Sequence, residues 1–261
     1  MKNKIRLVSL LVLAAALSAC SLFNQIKGSG VAVETTYDYQ DFSSVSINET
    51  CKLDVTRGDS FSVILTSDDN ITEYLEVTQS DGTLSIGLES GHSYSNIIFE
   101  ASVIMPDLAG LSADGASEAA GSGFSSEAVN ISVNGASEIT MNYNSTGTVT
   151  AAVDGASNLT LNTQIISGNV EFNCNGASTI DFSADSGRTN ANLKIDGASA
   201  VDMRDFTAAD VRVDIDGASD AWVNMNGTLS GSLNGASELY YRGSPTIGDL
   251  SIETASRLST F

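Results

Sequence analysis

The chain has 261 residues, with 32 acidic and 12 basic side chains, one histidine and a formal net charge of −20. So acidic a surface repels nucleic acid and anionic lipid at long range, which excludes a nucleic-acid-binding protein and favours cations or basic partners. Solubility of an exported protein would explain the same charge. Three cysteines are too few for a disulfide scaffold.

Residues 1–19 have the pattern of a signal peptide. Basic residues come first, residues 7–17 are apolar, and residues 17–20, Leu-Ser-Ala-Cys, resemble a bacterial lipobox. The apolar stretch is shorter than the ~20 residues of a membrane span, which disfavours the alternative of an uncleaved transmembrane helix. An ordinary signal peptide is the other alternative. We expect Cys20 to carry a lipid such as palmitate, and the protein to be an outer-membrane lipoprotein facing either the periplasm or the surface.

Residues 20–33 are rich in Gly and Ser and predict a flexible tether. Residues 34–109 predict divergent N-terminal coils and a cap of the domain that follows, with Asp81-Gly82 as a turn and one short helix within residues 68–75. Four segments alternate apolar and polar residues as strands do: 61–65, 75–77, 84–88 and 101–105.

Residues 110–261 contain a pentad that begins with Asp or Asn and continues Gly-Ala-Ser. Its first residue recurs about every 20 positions, and such a period is typical of a solenoid. These first residues are Asp114, Asn134, Asp154, Asn175, Asp196, Asp216 and Asn234. A degenerate copy ends the chain near residue 253.

Apolar and polar residues alternate on both sides of each pentad, as Ala151 and Val153 do before one and Leu159 and Leu161 after it. Period-two alternation around a Gly-containing corner indicates half-buried strands joined by a turn. The sequence therefore predicts an all-β fold, a single-stranded right-handed parallel β-helix of about 20 residues per coil. A sandwich of stacked hairpins is the competitor, but the nearly constant period favours coils.

At each corner, Asx-Gly supplies the left-handed backbone, Ala is expected to point inward, and Ser to donate to a neighbouring coil. The seven Asx residues would form a structural turn ladder along one edge. Calcium is the alternative occupant of such a ladder, above all at Asp196 and Asp216, near Asp214 and Asp220. One Asx per turn, often neutral, favours the structural interpretation, so we predict neither a metal nor a cofactor.

Two cysteines fall within this register. Cys174 stands at a core position of its coil. Cys51 takes the place of Ser157 in a degenerate early copy, residues 47–55. Several coils at ~4.8 Å each would separate the two, too far for a disulfide.

Residues 42–47, 68–77, 81–86 and 105–108, together with the Gly-Ala-Ser corners, resemble the "putative auto-transporter adhesin, head GIN domain" family, found largely in Bacteroidetes envelope proteins. The resemblance covers about residues 40–258. It implies a β-helix likened to pectate-lyase-type solenoids and a role in cell adhesion inferred from shape. It supplies no binding residues.

The chain offers little for catalysis. His92 is its only histidine, so a histidine-based triad has no support. Lys194, Arg204 and Arg212 group with acidic residues from Asp202 onward, and surface ion pairs explain such a group. We therefore predict no enzyme and no catalytic residue. The alternative is a carbohydrate-active solenoid enzyme that uses the acidic face at residues 202–220.

Solenoids present long flat faces suited to extended partners. Trp222 alternates with apolar neighbours and is predicted to point outward, and with Tyr240 and Tyr143 it forms the candidate binding surface. The sequence thus predicts a non-catalytic, lipid-anchored envelope protein that acts in adhesion or surface binding, with a glycan or a surface protein as partner. A purely structural spacer is a further alternative.

Overall fold

A computed structural model describes residues 25–186 and 188–261 of the chain. The predicted signal peptide and Cys20 lie outside the described residues. The described part is all-β, a solenoid of about seven turns with roughly 20 residues per coil, as the sequence predicts. The segment expected to hold a helix, residues 68–75, contains a short 3₁₀ turn, Thr72–Tyr74. Nowhere in these two ranges is there a helix long and apolar enough to span a bilayer.

The strands divide into an N-terminal group and a repeat group. The N-terminal group is β1 Gln25–Lys27, β2 Ala32–Tyr37, β3 Ser44–Ile47, β4 Lys52–Arg57, β5 Ser62–Asp68, β6 Leu75–Ser80, β7 Thr83–Leu88, β8 Ser93–Ser95 and β9 Phe99–Met105. The repeat group is β10 Gly110–Ala113, β11 Glu118–Val133, β12 Glu138–Val153, β13 Asn158–Ile165, β14 Val170–Cys174, β15 Thr179–Ser186, β16 Ala191–Ile195, β17 Ala200–Ala208, β18 Val211–Ile215, β19 Asp220–Met225, β20 Thr228–Leu233, β21 Glu238–Gly243, β22 Thr246–Ile252 and β23 Arg257–Thr260.

Parallel pairing between coils builds two ladders, one on each side of the corners. The incoming ladder, of strands that run into a corner, is stacked β7, β3, β10, β11, β12, β14, β16, β18, β20, β22. The outgoing ladder, of strands that leave a corner, is stacked β9, β4, β11, β12, β13, β15, β17, β19, β21, β23. The long strands β11 and β12 belong to both, because each leaves one corner and enters the next.

Apolar side chains from both ladders meet in a narrow interior. Alternation is regular: β14, β16 and β18 each read buried, exposed, buried, exposed, buried. Phe172, Phe182 and Phe206 pack edge to face at centroid distances of 5.4 and 5.3 Å. Cys174 lies in this interior, fully buried, where the neighbouring coils place Val153 and Ile195. The core position predicted for Cys174 is confirmed.

Stacked glycines define the corners. Gly155 has φ +84°, and a Cβ there would lie 2.4 Å from the carbonyl oxygen of Gly135 in the preceding coil. The amide of Ala156 donates to that same oxygen at 2.8 Å. Only glycine supplies both the left-handed backbone and the close approach. Each corner therefore lies directly on the one before it.

The orientation predicted within the corners was wrong in one respect. Ala156 is exposed and Ser157 is fully buried, the reverse of an inward alanine, and the other pentads follow the same pattern. Each buried serine instead links coils: the amide of Ser117 donates to the hydroxyl of Ser137 at 3.2 Å. The amide of Ser137 donates in turn to the hydroxyl of Ser157 at 3.4 Å. A serine fits the inside of the corner because its hydroxyl pairs with backbone that the turn leaves without a strand partner.

The degenerate first corner keeps this pattern with other residues. Glu49 stands at the glycine position with φ 65°, and its carbonyl accepts from the amide of Ala116 at 2.7 Å. Cys51 stands at the serine position and is fully buried. Both Cys51 and Cys174 are free, and they belong to different coils.

The N-terminal region lies at one end of the stack, and the chain does not fill the coils there in sequence order. The coil of β7 and β9 lies outside the coil of β3 and β4. Beyond them β6 pairs antiparallel with β7, through the predicted turn at Asp81, and β5 pairs antiparallel with β9 and then with β2. The reversal of strand direction ends the parallel stack and covers its edge.

The predicted tether over residues 20–33 is not free where the structure describes it. Strand β1 pairs with β8, and Ala32 and Val33 begin strand β2. The fully buried carboxylate of Asp68 accepts from the amide of Gly30 at 2.6 Å and from the amide of Ile98 at 2.7 Å. A buried carboxylate with two amide donors fixes this segment to the cap, which a Gly/Ser-rich composition does not reveal.

Candidate binding surface on the outgoing ladder

One outward column of the outgoing ladder carries the residues of interest. Its members each stand six residues after the first residue of their pentad, and strand pairing aligns them in neighbouring coils. From Thr160 onward they are Thr160, Asp181, Asp202, Trp222, Tyr240 and Ser259. The column is outward because its neighbours on each strand, such as Ala221 and Val223, point into the core.

Trp222 and Tyr240 form a parallel stack on this column. Their ring centroids are 5.4 Å apart and their planes differ by 4°. The guanidinium of Arg204, from the preceding coil, lies 5.7 Å from the centroid of the Trp222 ring. The indole is thus held between a cation on one side and a phenol ring on the other. We call Arg204, Trp222 and Tyr240 the stacked patch.

Asp202 holds the cation of the stacked patch in place. Nε of Arg204 donates to both carboxylate oxygens of Asp202, at 2.9 and 2.8 Å, and its Nη2 makes a further close contact. The backbone amide of Arg204 also donates to Asp202 at 3.0 Å. A guanidinium fixed by a planar, multiply bonded carboxylate presents its face to the indole without a large loss of side-chain freedom on binding.

The patch continues toward the C-terminal end of the solenoid. Arg242 donates through Nη2 to the backbone carbonyl of Arg204 at 2.8 Å, and its guanidinium lies 5.4 Å from the ring centroid of Phe261. The Tyr240 hydroxyl donates to the carboxylate of Glu238, which also forms an ion pair with Arg257 at 3.6 Å. Arginines and aromatic rings therefore alternate along a surface that is otherwise acidic.

Titratable groups around the patch differ in the direction in which their pKa is shifted. Burial raises the pKa of Asp202, but hydrogen bonds and the charge of Arg204 outweigh it, so its pKa lies below the ordinary value. Burial and the neighbouring charge of Asp202 raise the pKa of Asp181. Burial and Glu238 raise the pKa of Asp220, and the hydrogen bond to Glu238 raises the pKa of Tyr240. Asp202 stays ionised while its neighbours are easier to protonate.

Of the three residues predicted for the surface, the structure brings Trp222 and Tyr240 together and removes Tyr143. Tyr143 is 2 % exposed, and its hydroxyl bonds to that of Ser126 inside the fold. The reason is that β12 runs unbroken from Glu138 to Val153. The alternation of Ile139 and Met141 therefore continues inward to Tyr143.

The predicted grouping of basic and acidic residues is also divided by the fold. Lys194 and Arg212 lie on strands of the incoming ladder, paired with positions of β18 and β16, whereas Arg204 lies on the outgoing ladder. The acidic face at residues 202–220 is likewise split between the two ladders. No single surface gathers these charges.

Aspartate side chains of the turn ladder accept hydrogen bonds from the backbone of their own corners. Asp114, Asp196 and Asp216 accept from the amides of the glycines that follow them, at 2.7, 2.6 and 2.6 Å. Within the two described ranges, no three His, Cys, Asp or Glu side chains converge as a metal site would require. Each carboxylate thus accepts from the amide one residue on and stabilises its own corner.

Sequence reasoning missed the contributions of Arg204, Arg242 and Phe261 to this surface. The repeat does contain a signal for Arg204. Asp202, Trp222 and Tyr240 share one offset from their pentads, and Arg204 stands two residues after Asp202 on the same strand. Arg242 lies two residues beyond Tyr240 on the same strand face. Phe261 follows the last strand, and no periodicity locates it.

Comparison with known proteins agrees with this architecture. The sequence model of the family "Putative auto-transporter adhesin, head GIN domain" matches residues 41–245. The chain therefore belongs to this family, as the sequence resemblance indicated. No curated protein gives a match.

Several solved structures share the fold. A putative adhesin from Parabacteroides merdae aligns with a TM-score of 0.80 and 16% identity, covering 91% of this chain and 99% of that one. A putative adhesin from Parabacteroides distasonis has a TM-score of 0.72 at 16% identity, with 91% and 100% covered. A protein named "Putative lipid binding protein" from the same species has a TM-score of 0.63 at 19% identity, again with 91% and 100% covered. At such identities the likeness concerns the fold alone.

Proposed function

We propose that this member of the head GIN domain family is a non-catalytic adhesin of the cell envelope that binds a protein partner through the stacked patch. The observation that carries the proposal is a half-buried tryptophan at an outward strand position, held between Arg204 and Tyr240. The names of the family and of its structural relatives, putative adhesins, support a role in surface binding.

The composition and rigidity of the patch suit it to binding. Trp, Tyr and Arg are the residues most enriched among those that dominate protein interfaces. Here they are fixed in advance by stacking and by the Asp202 carboxylate. A surface ordered before binding loses little conformational entropy when a partner docks.

The geometry favours a protein over a glycan as partner. A sugar ring typically packs on the face of an aromatic side chain, but Arg204 and Tyr240 take up the two faces of the indole. What Trp222 presents outward is its ring edge. An edge flanked by Arg204, Arg242 and carboxylates matches a mixed polar and apolar protein surface better than a carbohydrate.

The anchoring proposed for the chain fits the position of its N-terminal strand. Cys20 precedes strand β1 by five residues, which span at most about 18 Å when fully extended. A lipid on Cys20 would hold the capped end of the solenoid close to the membrane and leave the stacked patch at the far end. Incorporation of a labelled fatty acid, abolished by Cys20→Ala, tests the anchor. Protease treatment of intact cells decides which side of the outer membrane the protein faces.

Binding is tested with the soluble chain on protein and glycan arrays prepared from target cell surfaces and matrix. We expect protein ligands whose binding falls about tenfold or more in Trp222→Ala, as for an interface anchor. Thr160→Ala, in the same column but four coils from Tyr240, is the matched control and should bind normally. Ligands confined to the glycan array would overturn the protein partner, and unchanged binding by Trp222→Ala would overturn the site.

A carbohydrate-active enzyme is the alternative to an adhesin. The observation that favours it is the pair Asp181 and Asp202, whose pKa values are shifted in opposite directions, as in a catalytic acid and base. Against it, the Asp202 carboxylate is taken up by Arg204 and lies on a strand face. Incubation with a panel of acidic and neutral polysaccharides should give no product. Release of oligosaccharides that is lost in Asp202→Asn would contradict the non-catalytic proposal.

A further inference from the structure

A second candidate site lies at the opposite end of the solenoid, beside the degenerate first corner. A cavity of about 340 Å³ is lined there by Glu49, Thr50, His92, Ser93 and Tyr94. The two corner residues come from the turn between β3 and β4, and the other three come from β8 and the residue before it. Nothing in the proposed adhesin surface involves these residues.

Glu49 is held in a backbone conformation that disfavours it. Its φ is 65°, and it occupies the position that the later corners give to glycine. Those glycines are Gly115, Gly135, Gly155, Gly176, Gly197, Gly217 and Gly235. A side chain kept at a left-handed position, where seven other corners dispense with one, suggests that the side chain itself has a role.

Two rings, His92 and Tyr94, line the cavity, and Tyr74 packs against both of them. The centroids of Tyr74 and His92 are 5.2 Å apart, those of Tyr74 and Tyr94 are 6.0 Å apart, and those of His92 and Tyr94 are 6.1 Å apart. The Tyr94 hydroxyl donates to the backbone carbonyl of Glu89 at 2.9 Å, which fixes the ring. The wall is therefore aromatic and pre-formed.

Within the described chain, Nδ1 of His92 is buried and has no hydrogen-bond partner. A nitrogen with almost no accessible surface is out of reach of a ligand, so His92 contributes its ring and not Nδ1 to the cavity wall.

The electrostatic surroundings are negative. Burial raises the pKa of Tyr94 to about 12, and the charges of Glu89, Glu49 and Glu76 add to the rise. Negative carboxylates and aromatic faces together attract an organic cation, because both the charge and the ring quadrupole favour it. The net charge of −20 draws cations toward the molecule as a whole.

We infer that this cavity binds a primary ammonium group, the chemistry of a lysine side chain. The Glu49 carboxylate pairs with the charge, and the rings of Tyr94 and His92 pack against the aliphatic stem. The site is a cation pocket at the membrane-proximal end, separate from the stacked patch.

His92 is the only histidine of the chain, so its ring resonances report the site without assignment of any other histidine. The soluble chain is titrated with Nα-acetyl-lysine methylamide at a pH above the measured titration midpoint of His92. We expect a saturable shift of the ring signals. The Nε-acetylated compound keeps the backbone and the aliphatic stem but has no charge, and it should give none.

Variants locate the contact. Glu49→Gln keeps the size of the side chain and should weaken the ammonium affinity about tenfold or more, because a charge-assisted bond is lost. Glu127→Gln removes an exposed carboxylate far along the chain and should leave the affinity unchanged. Lys27→Gln, on the strand paired with β8, should not abolish binding, which excludes occupancy by the chain's own lysine.

Each outcome decides the inference. No saturable shift, an equal shift from the acetylated compound, or an unaltered affinity in Glu49→Gln would overturn it. Far-UV circular dichroism confirms that the variants are folded. Trp222→Ala should retain the ammonium shift, so failure of the adhesin proposal and failure of this one are distinguishable.

Discussion

Trp222 and Tyr240 stack across neighbouring coils with their ring planes only 4° apart, although 18 residues of chain separate them. The parallel ladder enforces this geometry, because equivalent positions in adjacent coils lie ~4.8 Å apart and side chains leave the sheet in the same direction. A ladder of this kind stabilises the coil and prepares a binding surface at once.

Trp222→Ala should lower the free energy of unfolding by about 2 kcal/mol, the sum of a stacked aromatic pair and a cation–π contact. Urea denaturation followed by far-UV circular dichroism measures the loss, since the variant has no tryptophan for fluorescence. Thr160→Ala, in the same outward column, should change the stability by less than ~0.5 kcal/mol. Equal effects of the two changes would mean that the stack contributes nothing.

Gly155→Ala should destabilise the solenoid by at least ~2 kcal/mol, since it combines a left-handed residue with a Cβ 2.4 Å from the carbonyl of Gly135. Gly30→Ala is the matched control: its φ is +81°, but no atom lies within 4 Å of the added Cβ. Gly30→Ala should lower the free energy of unfolding by about 1 kcal/mol, because only its left-handed backbone disfavours alanine. Urea denaturation of the two variants separates close stacking from conformation, and identical losses would contradict the close approach of the corners.

Asp68→Asn should cost about 2–3 kcal/mol and loosen the N-terminal segment. The buried carboxylate accepts two amide hydrogen bonds, and an amide side chain would set its own N–H group against one of those donors. Hydrogen exchange across residues 25–37 should rise more than exchange in the repeats. Asp69→Asn, at an exposed carboxylate that accepts from the Ser29 hydroxyl, is the control and should have little effect. If hydrogen exchange of residues 25–37 rose no more than that of the repeats in either variant, the Asp68 carboxylate would not be what holds the N-terminal segment.

The two buried thiols should resist modification and give an alkaline limit to stability. Burial raises the pKa of Cys51 to about 12 and that of Cys174 to about 11, from an ordinary 9.0. Since the folded pKa is raised, the contribution to stability is complete below about pH 9 and is lost as the pH rises from 9 toward 12. With Cys20 replaced by serine, thiol labelling should be slow in the native state and rapid in urea. Rapid labelling of the native protein would show that the interior is open.

Much of the fold could be predicted from the sequence because each coil of a solenoid repeats the same local sequence pattern. The pentads fixed the corners, and the alternation around Ala151 and Leu159 fixed which side chains face the core. The alignment of Cys51 with Ser157 even located the degenerate first corner. Local patterns suffice when each coil repeats the same contacts with its neighbours.

Other features depend on contacts that no local pattern records. Ser157 points inward because its hydroxyl accepts from the backbone amide of Ser137 in the adjacent coil. Ala156, the residue before it, then points outward. Tyr143 is buried because β12 is one long strand whose inward alternation continues past Met141. The capture of Gly30 by Asp68 joins segments 38 residues apart, and composition alone indicated a tether there.

Glu49→Gly should stabilise the protein by about 0.5–1 kcal/mol while it abolishes the ammonium response of His92. Glycine takes φ 65° without the steric cost that Glu49 pays, and the later corners show that the turn needs no side chain at this position. The gain is measured by urea denaturation and the response by the titration of the His92 ring.

Glu49→Gln gives the control for this prediction, because it keeps the strained backbone and removes only the charge. It should therefore lose the ammonium response without any gain in stability. A destabilised Glu49→Gly variant would show that the Glu49 side chain supports the fold, and the strain would then need no ligand to explain it. A stabilised variant that no longer binds would show instead that this corner gives up stability to keep a carboxylate beside His92 and Tyr94, as functional sites commonly do.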